Sequence, residues 1–145
     1  MPVMRACRRN SGPRNGRESR LGSTRRKGSA MAKMEKKSLD SPDEVRNAGK
    51  GKINVVGLSS GNVGRLFYEP GWKWSTDVKP IHKTESCELH HVGVVESGSI
   101  HVKMNDGTEE EFGPGDAFEV PPGHDAWVTG KEPFVALDFG AFTKR

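Results

Sequence analysis

What most constrains this chain is its punctuation between residues 51 and 142. Short apolar runs are cut repeatedly by Gly, Pro, Asn and Asp, at 59–62, 70–71, 97–98, 105–107, 113–116, 121–123 and 130–133. Runs that short, bounded by turn formers, suit strands, and no window holds a sustained helical period. The predicted class is all-β, an antiparallel sandwich or barrel. Strands are predicted at 53–58, 63–68, 87–96, 100–104, 108–112, 117–120, 127–128 and 134–139. Asp106 and Gly107 give the strongest hairpin signal, because both tolerate the positive φ that tight hairpin turns require. Glu109, Glu110 and Glu111 point to an exposed edge strand. Residues 78–84 read as a loop that leaves His82 at the surface, and His101 reads as solvated.

Side chains alternate across a strand, so 87–96 presents two faces. Cys87, Leu89, His91, Gly93 and Val95 share one, and Glu88, His90, Val92, Val94 and Glu96 share the other. Both faces are apolar near 92–95, which implies cover on each side. A homodimer burying Val92 and Val94 is one answer, and cover by the first strand is the other. Trp72 and Trp74 alternate with Lys73. Both rings therefore face one way, as packing residues first and as the lining of a ligand mouth second.

The same face collects metal-competent groups. Glu85, Cys87 and His91 agree in parity, and the rigid bend at Pro121, Pro122 and Gly123 presents His124. A thiolate and two imidazoles suit zinc, with iron as the alternative. Glu85 is the optional fourth ligand or a nearby base, and Asp125 could orient His124. One obstacle is geometric: residues four apart lie roughly 13 Å apart along a straight strand, so the chain must bend between Cys87 and His91. The plainer reading makes Cys87 a small buried hydrophobe, His91 a core histidine and His124 a loop residue.

Gly115, five residues, Pro121, Pro122 and Gly123 resemble the second motif of the cupin superfamily, and Gly98 is similar to the glycine that closes the first. The resemblance spans roughly residues 51–142. It implies a double-stranded β-helix, a small jelly roll holding a metal or small molecule, and frequent homodimers. Anchored on Gly98, it places the family's two histidines at Glu85 and Cys87 and its glutamate at His91. The second-motif histidine falls at Ala126, which cannot bind a metal, so His124 would serve in its place. The family's first motif has a turn between its second histidine and its glutamate, which implies the needed bend between Cys87 and His91.

Before the barrel lies a segment, residues 1–50, that is rich in Arg, Ser, Gly and Asn and poor in large apolar residues; it is predicted to be a disordered basic tail. Within it, 38–46 could form one helical turn, capped by Ser41 with Pro42 at its first position. Of the 23 Lys and Arg, ten lie in residues 1–34 against one acid, leaving 13 basic and 18 acidic residues and a net charge of −5 for the rest. The chain's +4 thus belongs to the tail and describes no nucleic-acid-binding face on the barrel. A non-native or dispensable extension ranks first for the tail, with Met31 and Met34 as candidate starts. A transit peptide ranks second and a nucleic-acid arm third.

Two cysteines, Cys7 and Cys87, are too few for a disulfide framework, so a reducing, cytoplasmic setting is expected. No apolar run approaches a membrane span. The functional expectation is a metal-binding barrel that acts on or senses a small molecule. Isomerisation, hydrolysis and dioxygenation remain open, beside a non-catalytic binding module or a metal-free structural barrel.

Overall fold

The computed structural model describes residues 33–142. Most of the expected disordered tail, including Cys7 and Met31, lies outside the described residues. Where the tail is described, it departs from expectation. Ser41 N–H donates to the Ser38 carbonyl in a turn, and no helical turn forms at 38–46. Strand β1, Glu44–Asn47, follows and pairs antiparallel with β2, Gly51–Leu58. The barrel therefore begins before residue 51. Its first strand is a polar stretch that only long-range pairing identifies.

β3, Gly61–Tyr68, returns along β2. Two short helices follow: α1, Trp74–Asp77, just after the alternating Trp72 and Trp74, and α2, Lys79–His82, within the expected loop at 78–84. Each is a single turn, too short for a hydrophobic period to show in the sequence. Six more strands complete the fold: β4, His91–Ser97; β5, Ser99–Met104; β6, Glu109–Phe112; β7, Ala117–Val120; β8, His124–Thr129; and β9, Phe134–Asp138. They form a six-stranded sheet in the order β1-β2-β3-β9-β4-β7 and a three-stranded sheet in the order β6-β5-β8. As the glutamate run implied, β6 is an edge.

The inner faces of the sheets enclose the core. Val55, Val95, Phe134 and Ala136 are fully buried; each large apolar side chain so buried contributes about 1.5–3 kcal/mol. Trp72 and Trp74 are buried as expected, and Trp72 Nε1 donates to the Ala48 carbonyl at 2.7 Å. At the β4–β5 turn Gly98 has φ +73°, and a Cβ there would meet the Pro133 carbonyl oxygen.

The outer face of the six-stranded sheet is covered unevenly. Over β2 and β3 the chain itself supplies the cover. Asn54 Nδ2 donates to the Leu39 carbonyl at 3.0 Å, Arg65 Nη1 to Asp40 at 2.9 Å and Gly57 N–H to Asp43 at 2.8 Å. Val56 is thereby buried. Over β4 and the end of β9 nothing in the described chain plays that part, and Val92 and Phe139 are 41% and 52% exposed.

Candidate metal centre

The expected strand at 87–96 is broken, and the break makes the site. Cys87 belongs to the three-stranded side, in an isolated antiparallel bridge with His124. Its N–H donates to the His124 carbonyl at 2.8 Å, and its own carbonyl accepts from Gly123 N–H at 2.7 Å. His91 opens β4 on the other sheet, opposite Val120 of β7. Residues 88–90 carry the chain from one sheet to the other, with Leu89 packed against the core. This corner supplies the required bend.

His124 is set by the bend before it. Gly123 has φ +93°, a conformation open to glycine. Its carbonyl accepts from Asn105 N–H at 2.9 Å, which ties the bend to the β5–β6 turn. Ala126, two residues on, is a buried core residue opposite Val102.

Cys87, His91 and His124 converge, with one ligand atom from each lying within 4.8 Å of the others. The Cys87 sulfur is 3.7 Å from His91 Nε2, and the imidazole rings meet edge-on with centroids 5.2 Å apart. His91 Nδ1 lies 2.5 Å from Asp138 Oδ2, and His124 Nδ1 lies 2.7 Å from the Pro121 carbonyl. A carbonyl only accepts, so His124 carries its proton on Nδ1; the Asp138 carboxylate fixes the same tautomer in His91. Each ring is thereby left with Nε2 as a lone-pair donor, the arrangement in which outer partners orient metal-binding histidines. The donor set fits a divalent metal of the zinc class.

Asp138 escaped the sequence reading. It is 1% exposed; Oδ2 accepts from His91, while Oδ1 accepts from Gly140 and Ala141 N–H at 3.0 Å each. A signal existed: Asp138 shares parity with Phe134 and Ala136 in an otherwise apolar strand. An acid on the core face needs a partner. Glu85 corrects the expectation in the other direction. Its side chain is 98% exposed, pairs with Lys79 at 3.2 Å and is not part of the cluster. Parity fails there because Glu85 precedes the bridge at Cys87. Asp125 does not orient His124 either; its Oδ1 accepts from Ser75 and Ala126 N–H.

Without a metal, the buried cluster polarises itself. Burial alone would push the Cys87 thiol up, but hydrogen bonding with His124 and His91 outweighs it and brings the thiol down to about 6. Burial would likewise lower His91, but Asp138 and then Cys87 outweigh it and raise the imidazole to about 9. Both shifts favour separation of charge between the Cys87 sulfur and the His91 ring.

The cluster borders a cavity of about 150 Å³ between the sheets. Its walls include Tyr68, Trp72, Ile100, Val102 and Phe142. Trp72 and Trp74 thus both pack and line, and the exposed His82 stands at the rim.

No family model matches the sequence, and no curated protein does. Solved structures do match. A cupin 2 conserved barrel domain protein from Salinispora arenicola superposes with a TM-score of 0.53 at 14% identity, over 77% of this chain and 92% of that one. The fold is a cupin fold. KdgF from a Halomonas species is similar over 70% of this chain and 87% of its own, at 17% identity and TM-score 0.50. A protein of unknown function from Rhizobium leguminosarum is similar over 77% of this chain and all of its own, at 23% identity and TM-score 0.56. These likenesses extend to the cupin barrel alone. Among the described residues, no helix is long and apolar enough to cross a membrane.

Proposed function

We propose that this cupin binds one divalent metal through Cys87, His91 and His124, and uses it to act on or sense a small molecule in the adjoining cavity. The observation that carries the reading is the paired occupation of Nδ1 in both histidines, which leaves both Nε2 atoms for the cluster that includes Cys87 Sγ. Zinc is the first choice for this donor set and iron the second. When bound, such a metal supplies Lewis acidity at a coordination position the protein leaves open.

The chain's own residues do the rest. Asp138 holds the His91 ring in its tautomer, and the Pro121 carbonyl does the same for His124. The apolar walls limit water around a bound molecule. Because Glu85 stands outside the cluster, three protein ligands remain, which favours an open site beside a cavity over a closed structural one. Isomerisation, hydrolysis and dioxygenation are each compatible with an open site. A cytoplasmic setting goes with the reduced Cys87 this reading requires.

Metal analysis of the purified protein tests the reading. About one equivalent of metal per chain should co-purify, and Cys87→Ser should lose most of it. A protein devoid of metal after growth and refolding in excess zinc or iron would overturn the proposal.

A further inference from the structure

Asp138 sits between two glycines. In the six-stranded sheet its register partners are Gly64 on β3 and Gly93 on β4. Neither offers a side chain, so the inner face is hollow on both sides of the buried carboxylate. Beside Gly93 the Phe118 ring comes close, with Cζ 3.0 Å from where a Cβ would lie. Over Gly64 the filler is Phe142. A Cβ at Gly64 would have Phe142 atoms as its three nearest neighbours, the first being Cδ2 at 2.8 Å. Glycine at 64 is therefore what gives the Phe142 ring its seat.

Phe142 reaches that seat from outside the sheet. Phe139 N–H donates to the Val92 carbonyl, and the chain then leaves the ladder. Gly140 and Ala141 N–H donate to Asp138 Oδ1 at 3.0 Å each, while Oδ2 of the same carboxylate holds His91. This turn, built around one side chain, leaves Phe139 52% exposed and brings Phe142 to 6%. There the ring centroid lies 6.0 Å from that of His91, and the ring forms part of the cavity wall. One carboxylate thus fixes both a proposed metal ligand and the wall beside it. The cavity so bounded, about 150 Å³, suits a body of about six heavy atoms, the size of benzene.

We propose that Phe142, seated on Gly64 and held beside His91 through Asp138, is the residue that sets how large a molecule the site accepts, limiting it to a compact apolar body. Tyr68, Leu66 and Phe134 also line the cavity, but they belong to strands, and removing them would hollow the core between the sheets. Phe142 lies beyond β9, so the space it fills can be opened without breaking strand pairing. The proposal rests on the reading that the cavity receives a small molecule.

The test uses the full chain after zinc loading and two uncharged probes that differ in size, benzene and naphthalene. Affinities are read by ligand-observed NMR, and zinc content is measured on the same samples. Wild-type protein should prefer benzene. Phe142→Ala should shift the preference toward naphthalene by about tenfold or more, the scale on which apolar pockets discriminate by size. Phe142→Leu, which keeps an apolar side chain in the seat, should shift it the same way by less. The seat itself is tested by urea unfolding: Gly64→Ala should lower the midpoint of wild-type protein and lower that of Phe142→Ala clearly less, because the atoms its Cβ would strike are gone. If neither Phe142 variant changes the preference, if Gly64→Ala costs the same with and without Phe142, or if neither probe binds, the proposal is overturned while the zinc content still judges the metal centre. If the preference shifts as stated in protein that holds no zinc, this proposal stands and the metal centre fails.

Discussion

The Cys87 sulfur and the His91 Nε2 are 3.7 Å apart, although an unbroken strand would carry residues four apart to roughly 13 Å. The corner at 88–90 makes the difference, because it moves the chain from the bridge beside β8 to the start of β4. A pair that local sequence holds apart is brought together by the closing of two sheets.

Asp138→Asn should weaken metal binding roughly 10- to 100-fold. The amide can keep its oxygen toward Gly140 and Ala141 N–H only by turning its NH₂ toward His91. Nδ1 must then accept, and the proton moves to Nε2, where the metal needs a lone pair. A zinc competition titration against a chromophoric chelator measures the loss.

In the metal-free protein two opposed pH dependences should offset each other. Cys87 is depressed to about 6 by His124 and His91 against the opposing effect of burial. Its stabilising contribution is therefore present above its unfolded value and is lost as pH falls through about 6. His91 is raised to about 9 by Asp138 and Cys87, again against burial. Its contribution is complete below its unfolded value and is lost as pH rises through about 9. The two contributions change in opposite directions over the same interval and offset, so the thermal midpoint of chelator-treated protein should vary little between about pH 6 and 9. Cys87→Ser removes the contribution that grows with pH, so the variant's midpoint should fall as pH rises through that interval.

Two glycines with positive φ should respond differently to alanine. Gly107, φ +95°, has open space where a Cβ would go, so Gly107→Ala should cost only the backbone strain, about 1–2 kcal/mol. At Gly98 the same strain is joined by collision with the Pro133 backbone, and Gly98→Ala should cost more than about 3 kcal/mol. Urea unfolding of the two variants checks the contrast.

Much of this barrel is legible in its sequence because turns are local. Gly98, the Asp106 and Gly107 hairpin and the bend at Pro121, Pro122 and Gly123 each declare themselves within a few residues. The same bend presents His124, whereas Cys87 and His91 agree in parity but meet through the corner at 88–90. Residues whose role depends on distant pairing were hidden. β1 is too polar to stand out until β2 pairs with it. Asp138 gains its partner His91 only once β9 lies between β3 and β4. Glu85 misled because parity counts only along an unbroken strand.

We expect copies of the chain to pair through the uncovered part of the six-stranded sheet, where Val92 and Phe139 are exposed side by side; Phe139 N–H donates to the Val92 carbonyl at 2.8 Å. Sedimentation at micromolar concentration should give a dimer, and Val92→Glu with Phe139→Glu should give a folded monomer. A wild-type monomer would contradict this.

Zinc-edge X-ray absorption on the zinc-loaded protein tests the central claim most directly, because it counts the metal's neighbours by element. The expected first shell contains one sulfur at about 2.3 Å and two imidazole nitrogens at about 2.0–2.1 Å, with the remaining position filled by a light atom. Cys87→Ser should remove the sulfur and leave the histidine signature. A first shell with no sulfur in the wild-type protein, or one unchanged by Cys87→Ser, would contradict the claim that Cys87, His91 and His124 share one metal.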